Sequence, residues 1–315
     1  MVELNRSWQV TGPLSGRVVV TDEDGRPRLR RSGHAAARDT RTGLETANAR
    51  LILHRTAVFE TTAVPPAYRE QFTDLDDAPV RTWAVDTDLG QAQTSDLRRA
   101  VIGRRHAALA VLAEVTGMQV VTIEFEPEGA LITGTGAGGI RDVGIELHGT
   151  YGWPVLTAST IKGVAHAYAR DVRAMPSTAL EHFFGAPRPG VPGTAAQGSV
   201  MFYDALPGAD GVTIAEHVLT PHARDYHTGH GTQDQRPPPA EYLNPVPIPF
   251  LAIEKGTFVV HLLALQADTN EVADLVTAAV GDIGVGAKTA AGYGYLIAAP
   301  SGIRQRSAQQ QEQSR

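Results

Sequence analysis

The order of the hydrophobic patterns after Met118 is the sequence feature that most constrains the fold of this 315-residue chain. Met118 to Phe125 alternates apolar and polar residues and is rich in β-branched side chains, which predicts a strand. Ser159, a residue type favoured at helix N-caps, is followed by helical spacing through Arg173. Later segments predict strands at Ser199–Tyr203, Phe250–Ile253, Thr257–Leu265 and Tyr293–Ala298, a turn at Lys255-Gly256, and a helix from Asn270 as its cap to Val280.

Without its insertions, this part of the chain has the order strand, helix, strand, strand, helix, strand. That order is typical of the split βαβ, or ferredoxin-like, arrangement, which the RNA recognition motif also uses. We therefore expect an α+β protein with a ferredoxin-like (RRM-like) βαββαβ core, long insertions and an N-terminal, partly helical extension. Proteins of many functions share this fold, so the fold alone assigns no function.

The chain is predicted to have three parts. Residues 1–116 form an N-terminal extension packed on the core, with helices at Leu44–Glu60 and Ser95–Val115 and a mobile loop at Val64–Asp88 between them. Residues 117–299 form the RRM-like domain, with an insertion at 206–249, and residues 300–315 form a disordered tail.

Composition excludes several classes of function. The chain has no cysteine, which rules out disulfides, thiolate zinc sites, iron–sulfur clusters and cysteine nucleophiles. Its formal net charge of −6 argues against free-standing, non-specific nucleic-acid binding, which depends on a basic surface. No apolar run approaches the roughly 20 residues of a membrane helix, and Met1–Val10 lacks a signal-peptide pattern. We expect a cytoplasmic protein that needs no membrane, cofactor or metal.

Two glycine-rich segments, far apart in the chain, each contain a lysine. Of the 28 lysine and arginine residues only three are lysines, Lys162, Lys255 and Lys288. Lys162 lies in Ser159–Gly163 and Lys288 lies in Gly284–Gly294. A compact positive charge beside exposed backbone amides is a common way of holding phosphate. These residues by themselves predict a polyanionic ligand.

Two nucleotide-binding motifs are matched only in part. The segment around Lys288 resembles a P-loop, but Ala287 separates the glycine from the lysine, and the predicted helix precedes the loop instead of following it. Gly134–Gly139 matches the dinucleotide pattern GxGxxG, but a predicted strand, Val143–Leu147, follows where a helix is needed. Both interpretations are therefore weak.

A serine acyl-enzyme of the penicillin-binding or β-lactamase type is a more specific alternative. Its motifs occur here in the required order as Ser159-Thr160-Ile161-Lys162, Tyr242-Leu243-Asn244 and Lys288-Thr289-Ala290. In that chemistry the lysine helps to deprotonate the serine. The third motif lacks its glycine, however, and nothing in the sequence marks export.

The long insertion contains four histidines, His217, His222, His227 and His230. A metal site is one interpretation, but the surrounding sequence is rich in proline and glycine and has no rigid helical spacing, which favours a polar binding loop. Asp142 and Asp204 have the chemistry of acids or bases, although turn-capping or surface roles fit them better.

An ordered set of motifs between Gly117 and Ala298 resembles the RAMP superfamily of CRISPR-associated proteins. The set comprises Tyr151–Leu156 leading into Ser159–Gly163, then Phe184-Gly185, Gly198–Asp204 with Ala205 and Pro207, Thr220-Pro221-His222, Pro247–Leu251 and Gly284–Gly294. Within the superfamily the pattern is most similar to the sixth subunits of the Cmr complex, the type III-B RNA-guided effector. It departs where Thr157-Ala158-Ser159-Thr160 replaces the usual Pro-Gly-Ser-Ser and where Tyr226 stands for a tyrosine pair.

The resemblance implies a structural, non-catalytic subunit that binds guide RNA (crRNA) near the end of the backbone that holds its 3′ part. The implied partners are the other Cmr backbone and small subunits, with target RNA met indirectly through the guide. A RAMP backbone subunit with endoribonuclease activity, using an acid such as Asp142, is the alternative within the same fold.

The predicted RNA-binding residues belong to the helix start, the glycine loops and the insertion. Glycines are expected to let the RNA backbone approach closely, free amides at the Ser159 helix start to attract phosphate, and the basic side chains to add charge. By the position of the insertion in relatives, His222, Arg224 and Tyr226 are expected to stack on or clamp the strand. The complete set is Gly136, Gly138, Gly139, Arg141, Ser159, Thr160, Lys162, Gly163, His222, Arg224, Tyr226, Gly284, Gly286, Lys288, Thr289 and Tyr293.

Overall fold

The computed structural model describes residues 6–11, 17–21, 27–31, 48–62, 71–75, 77–91, 94–135, 145–186, 196–221, 245 and 247–306. In these ranges the helices are α1 (Ala49–Arg55), α2 (Ala78–Asp86), α3 (Ser95–Thr116), α4 (Ala158–Asp171), α5 (Ser177–Phe184) and α6 (Thr269–Asp282). The strands are β1 (Arg6–Thr11), β2 (Arg17–Thr21), β3 (Pro27–Arg31), β4 (Ala57–Thr62), β5 (Gln71–Leu75), β6 (Met118–Pro127), β7 (Met201–Phe202), β8 (Leu206–Leu219), β9 (Ile248–Leu265) and β10 (Leu296–Arg306). Every helix in these ranges is too short or too polar to span a membrane.

An antiparallel sheet forms the centre of the molecule. Its strand order is β10-β6-β9-β7, and β8 also pairs with β9. Helix α4 follows β6 and precedes β7, whereas α6 follows β9 and precedes β10, so each helix connects strands that have another strand between them. The α+β class is therefore confirmed, and the strand order agrees with the predicted split βαβ arrangement.

The two faces of the sheet pack against different helices because side chains alternate along β6. Val121 and Ile123 are buried in the main core together with residues of α4 and α6. Val120 belongs instead to a second cluster with Leu109 and Ala113 of α3. Helix α3 thus packs on the face opposite α4 and α6, which in RNA recognition motifs is the face on which bases stack.

The predicted turn at Lys255-Gly256 is wrong, because the strand continues through these residues with a bulge. Gly256 has a φ of +105°, and a Cβ at this position would overlap the carbonyl oxygen of Gly211 on β8. The pairing of β8 with β9 shifts register here, between Thr213 and Ile214. Glycine therefore lets one long, bent strand continue where the sequence pattern predicted two.

The predicted insertion at 206–249 begins with a strand that the sequence patterns did not predict, because residues 206–219 form β8. The register with β9 runs from Leu206 opposite Val259 to Leu219 opposite Ile248. Among the described strands β8 pairs with β9 alone, and such an edge strand tolerates a proline like Pro207. The turn-forming residues in this segment concealed a strand. Residues 222–244 lie outside the described residues.

The last strand extends beyond its predicted end at Ala298. Ile303 to Arg306 pair with β6, after a register shift that follows Ala298. The predicted disordered tail is therefore wrong for residues 300–306, and residues 307–315 lie outside the described ranges. Helix α6 also begins earlier than predicted, with Asp268 instead of Asn270 at its N-cap.

The N-terminal extension contains strands that the sequence patterns did not predict. Strands β1, β4 and β5 form a three-stranded sheet, and β2 pairs with β3. The predicted helix at Leu44–Glu60 is wrong after Arg55, because Ala57–Thr62 forms β4. The predicted mobile loop at Val64–Asp88 contains β5 and α2. The predicted helix Ser95–Val115 is confirmed as α3, which ends at Gly117 in the left-handed conformation.

A buried arginine joins α3 to β8. Arg98 is 1% exposed, and its guanidinium donates hydrogen bonds to the carbonyl oxygens of Gly208, Ala209 and Gln91 and to Oγ1 of Thr94. These acceptors compensate for the removal of a charge from water. The N-terminal extension is therefore attached to the core sheet by polar as well as apolar contacts.

Candidate functional site

The first turn of α4 is capped by the protein itself. Thr157, not the predicted Ser159, is the N-cap, and its Oγ1 accepts the N–H of Thr160. Oδ1 of Asp204 accepts the N–H of Ala158 at 2.7 Å and places a carboxylate at the positive end of the helix dipole. The prediction of free amides at this helix start is wrong for Ala158 and Thr160, because both donate within the protein.

The predicted residues Ser159 and Lys162 line a cavity of about 560 Å³. They lie three positions apart and so share one face of α4. Ser159 is exposed, with its Oγ 2.9 Å from Oγ1 of Thr157, and Lys162 is half-buried. Phe184 and Tyr203 lie on other walls. Phe184 is buried in the core and Tyr203 is half-buried, so the cavity offers a cation, hydroxyl groups and the ring of Tyr203, in a volume typical of ligand sites.

Main-chain contacts fix the wall of this cavity. The N–H of Ser199 donates to the carbonyl of His182 at 2.6 Å, and the N–H of Ala186 donates to the carbonyl of Ala196 at 3.1 Å. Between them, a Cβ at Gly198 would overlap the carbonyl oxygen of Phe183. Two chain segments are thus held side by side, which gives the Phe184 side of the cavity a defined shape.

A second, smaller cleft of about 270 Å³ brings the helix start and the second glycine segment together. Thr160 and Gly286, both predicted RNA-binding residues, line it with Gly134 and Glu146. The first turn of α4 therefore borders two separate spaces. Thr160 lines this cleft, and Lys162 lines the larger cavity. Glu146 adds negative charge to the cleft, so the larger cavity suits phosphate better.

The glycines between Gly284 and Gly294 are required by packing within the protein. Gly286 and Gly294 have φ values of +89° and +84°, and a Cβ on either would overlap a carbonyl oxygen, that of Ile132 or Val285. The N–H of Ala287 also donates to the carbonyl of Ile132. Close approach of RNA is therefore not needed to explain these two glycines.

The polar residues of the same loop differ in exposure. Lys288 is exposed and has a left-handed φ of +61° before a short 3-10 turn at Thr289–Ala291. Thr289 is half-buried, and its carbonyl accepts a hydrogen bond from Tyr295. Gly163, in α4, is exposed and has open space where a Cβ would stand. Lys288 and Gly163 are thus accessible, as are the predicted residues Ser159 and Gly286.

Tyr293 belongs to a network that sequence reasoning missed. Its hydroxyl lies 3.1 Å from Nδ1 of His217, whose Nε2 lies 3.0 Å from Oε1 of Glu254. The Tyr293 ring also packs edge-on against Phe250. The alternation along β8, with buried Val212 and Ile214, was the signal that could have placed His217 in a strand. Tyr293 is therefore held in place by protein contacts.

Several predicted residues lie outside the described part of the chain. They are Gly136, Gly138, Gly139, Arg141, His222, Arg224 and Tyr226, together with Asp142 and the Tyr242–Asn244 motif of the acyl-enzyme interpretation. Within the described ranges, no group of three or more histidine and carboxylate side chains is arranged to hold a metal ion.

A basic cluster with one fully buried member lies between α3 and the sheet. Arg105 donates hydrogen bonds to the carbonyls of Asp204 and Val259, and the rings of His106 and His261 are 5.7 Å apart. His261 is 1% exposed. Burial, and then the charges of Arg105 and His106, lower the pKa of His261 to about 3. His261 is therefore neutral in the folded protein at pH 7.

We expect His261 to make the protein less stable in mild acid. The unfolded histidine has a pKa of about 6.5, so between pH 6.5 and pH 3 the unfolded state binds a proton that the folded state does not. The free energy of unfolding should fall by about 1.4 kcal/mol per pH unit through this group. Urea unfolding at several pH values should show a shallower loss in His261→Leu, and equal slopes for the two proteins would contradict this origin.

The fold and the site define a ferredoxin-like α+β protein in which a lysine-lined cavity and a glycine-rich loop adjoin the first core helix. Residues 124–297, more than half of the chain, match the RAMP superfamily, and the chain belongs to this superfamily. The predicted family resemblance is confirmed.

Individual relatives are similar over different lengths. The Cmr6 subunit of the CRISPR system Cmr from Pyrococcus furiosus is 35% identical over 107 residues, which are 32% of this chain and 31% of that protein. The chain therefore matches about a third of the length of this curated relative. A chain in the cryo-EM structure of the type III-B Cmr-beta complex bound to cognate target RNA has a TM-score of 0.50 and 19% identity, over 70% of this chain and 77% of that chain. This likeness shows a shared fold. The crystal structure of Cmr6 from Pyrococcus furiosus has a TM-score of 0.34 and 25% identity, over 58% and 99% of the two chains.

Proposed function

We propose that this chain is a structural, non-catalytic subunit of a cytoplasmic type III-B Cmr RNA-guided effector complex and that it binds the guide RNA. Membership of the RAMP superfamily and the similarity to Cmr6 support the assignment to such a complex. In the proposed complex the chain lies near the end of the backbone that holds the 3′ part of the guide. Its partners are the other backbone and small subunits, and it meets target RNA through the guide.

The cavity beside α4 is the observation that carries the RNA-binding part of this proposal. A net charge of −6 leaves no general attraction for nucleic acid, so binding must depend on local cations. Lys162 supplies one at the edge of a space large enough for a nucleotide, and the half-buried Tyr203 supplies a ring. Contacts to phosphate and to base faces do not require a particular base sequence. A subunit that accepts many different guides needs contacts of this kind.

Replacing Lys162 and Lys288 by alanine should weaken guide binding. Each lysine that contacts a phosphate contributes about 0.7 to the slope of log affinity against log salt for a single strand, so the double variant should lose up to about 1.4 of that slope. Fluorescence anisotropy of a labelled guide RNA at several salt concentrations measures both affinity and slope. Lys255→Ala is the matched control, because Lys255 is an exposed lysine on β9 that belongs to neither glycine segment.

Two outcomes would contradict the proposal. An unchanged affinity and salt slope in the double variant would exclude the lysines as phosphate contacts, and an equal loss in Lys255→Ala would indicate a general charge effect. The non-catalytic role is checked in the same samples. Labelled RNA should stay intact while bound, and its cleavage by the purified chain would favour an endoribonuclease.

A further inference from the structure

Three aromatic rings form a continuous stack near the start of α4 that the proposed guide site does not include. The ring centroids of His148 and Tyr151 are 4.9 Å apart with planes at 28°, and those of Tyr151 and Trp153 are 4.5 Å apart at 15°. Trp153 is 3% exposed and packs with Val101 and Leu206, whereas His148 and Tyr151 are half-buried. We call these three rings the aromatic stack. Its inner end is anchored in the core, and its outer end reaches the surface.

A tight turn holds the aromatic stack in position. The N–H of His148 donates to the carbonyl of Trp153 at 2.8 Å, which closes the turn between them. The side-chain amide of Asn48, the N-cap of α1, donates to the carbonyls of Gly149 and Thr150 at the tip. The rings are thus fixed before any ligand binds, so little side-chain freedom is lost when a further ring stacks on them.

Hydrogen bonding also fixes the imidazole of His148. Its Nδ1 lies 3.2 Å from the N–H nitrogen of Thr150 and 3.4 Å from that of Tyr151 and accepts from both, so the ring proton is on Nε2. Burial lowers the pKa of His148, and Arg105 and Arg50 lower it further, whereas Asp204 raises it. The outer ring is therefore a neutral aromatic surface with one N–H donor at its edge.

We propose that the face of His148 turned away from Tyr151 is a stacking site for one unpaired base of single-stranded RNA. This inference rests on the proposed function and adds a contact outside the lysine-lined cavity. Every base, whatever the RNA sequence, has a π-face that can extend the stack. The Nε2–H of His148 can donate a hydrogen bond to an acceptor at the edge of that base. The terminal nitrogen Nη1 of Arg50 lies 3.0 Å from the position that a Cβ on Gly149 would occupy, so a guanidinium is available beside the turn for the adjoining phosphate.

The position of the aromatic stack suits a strand better than a protein partner. Glu146 and Val155, at the base of the turn, line the smaller cleft, and two residues of extended chain from Glu146 to His148 cover only about 7 Å. The same cleft is lined by Thr157 and Thr160 at the start of α4, so the stack lies close to the helix start at which a strand would leave the lysine-lined cavity. Two half-buried rings, one of them polar, expose far less than the roughly 800 Å² per partner of a stable protein interface.

Two variants of His148 separate its ring from its hydrogen bonds. In His148→Asn the side-chain oxygen can still accept from the turn N–H groups, but the aromatic face is gone. In His148→Phe the face is kept and the acceptor is lost. The probe is a fluorescent single-stranded RNA of 12 adenosines or so, titrated against the full chain by anisotropy at pH 7.5, with thermal melts to establish that each variant is folded. We expect about tenfold weaker binding for Asn and a change within about threefold for Phe.

A spectroscopic measurement gives an independent answer that needs no stable variant. The ring protons of His148, assigned by their absence from the spectrum of His148→Asn or of His148→Phe, should move upfield when the RNA is added, because a base stacks on the ring. Unmoved resonances with RNA bound, or equal affinities for wild type and His148→Asn, would overturn the stacking site.

If His148→Asn instead lowers recovery of other complex subunits while RNA affinity is unchanged, the surface is a protein contact and the proposal is wrong. If the wild-type chain binds no RNA, both this site and the proposed function fail; if Lys162→Ala weakens binding and His148→Asn does not, only this site fails.

Discussion

Replacing Arg98 by methionine is expected to lower the free energy of unfolding by about 3–5 kcal/mol. The guanidinium is fully buried and donates to three carbonyl oxygens and one hydroxyl. Methionine fills much of the same volume but removes the Arg98 donors from the carbonyl oxygens of Gly208 and Ala209, whereas the carbonyl of Gln91 still accepts from Thr94. Each unsatisfied buried group costs about 1–3 kcal/mol. Urea unfolding followed by circular dichroism measures the loss.

The neighbouring residue Arg99 gives the matched control. It is exposed and forms a salt bridge with Asp96, three residues earlier on α3, in which both side chains are solvated. Such pairs contribute little, so Arg99→Met should change stability by less than about 1 kcal/mol. A similar loss in the two variants would show that net charge, and not the buried hydrogen bonds of Arg98, determines stability.

Replacing Gly286 by alanine should lower the free energy of unfolding by about 3 kcal/mol. Two costs add at this position: a left-handed φ of +89°, which is worth about 1–2 kcal/mol in an L-residue, and overlap of the new Cβ with the carbonyl oxygen of Ile132, worth about 1–3 kcal/mol. Urea unfolding followed by circular dichroism measures the loss.

Gly292 separates the two costs of the Gly286 substitution. It has a φ of +88° in the same loop, but the space around a Cβ at this position is open to 4 Å. Gly292→Ala should therefore lose only the conformational part, about 1–2 kcal/mol. If the two alanine variants have equal unfolding midpoints in urea, contact with Ile132 contributes nothing, and the packing argument for this glycine is wrong.

Regular periodicity accounts for the elements that the sequence predicted well. Helix α3 and strand β6 have apolar residues at the spacing of their own structure, and both are found where expected. Strands β4 and β8 were missed because each is formed by pairing with a strand far away in the chain. In β8, Pro207, Gly208 and Gly211 also indicated a loop, and only pairing with β9 overrides that preference.

The sequence predicted which residues belong to the candidate site better than it predicted how they are arranged. The spacing of Ser159 and Lys162 correctly places them on one helical face, because i and i+3 are neighbours. Nothing in the local sequence indicates that the carboxylate of Asp204, which follows β7, accepts a hydrogen bond from the N–H of Ala158. The rings of His148, Tyr151 and Trp153 are equally hard to foresee, because a turn and not a helix or strand brings them into register.

The position of α3 on the sheet has a consequence for how this protein can be divided. The segment that matches the RAMP superfamily begins at residue 124, in the middle of β6, and ends at residue 297, near the start of β10. A fragment cut at those limits would lack six of the ten residues of β6 and most of β10, the strand that pairs with it. It would also expose Leu263, which α3 and Val120 bury. The segment that matches the family is therefore smaller than the segment needed for folding. Shortened versions for biochemistry should retain α3, the whole of β6 and the whole of β10.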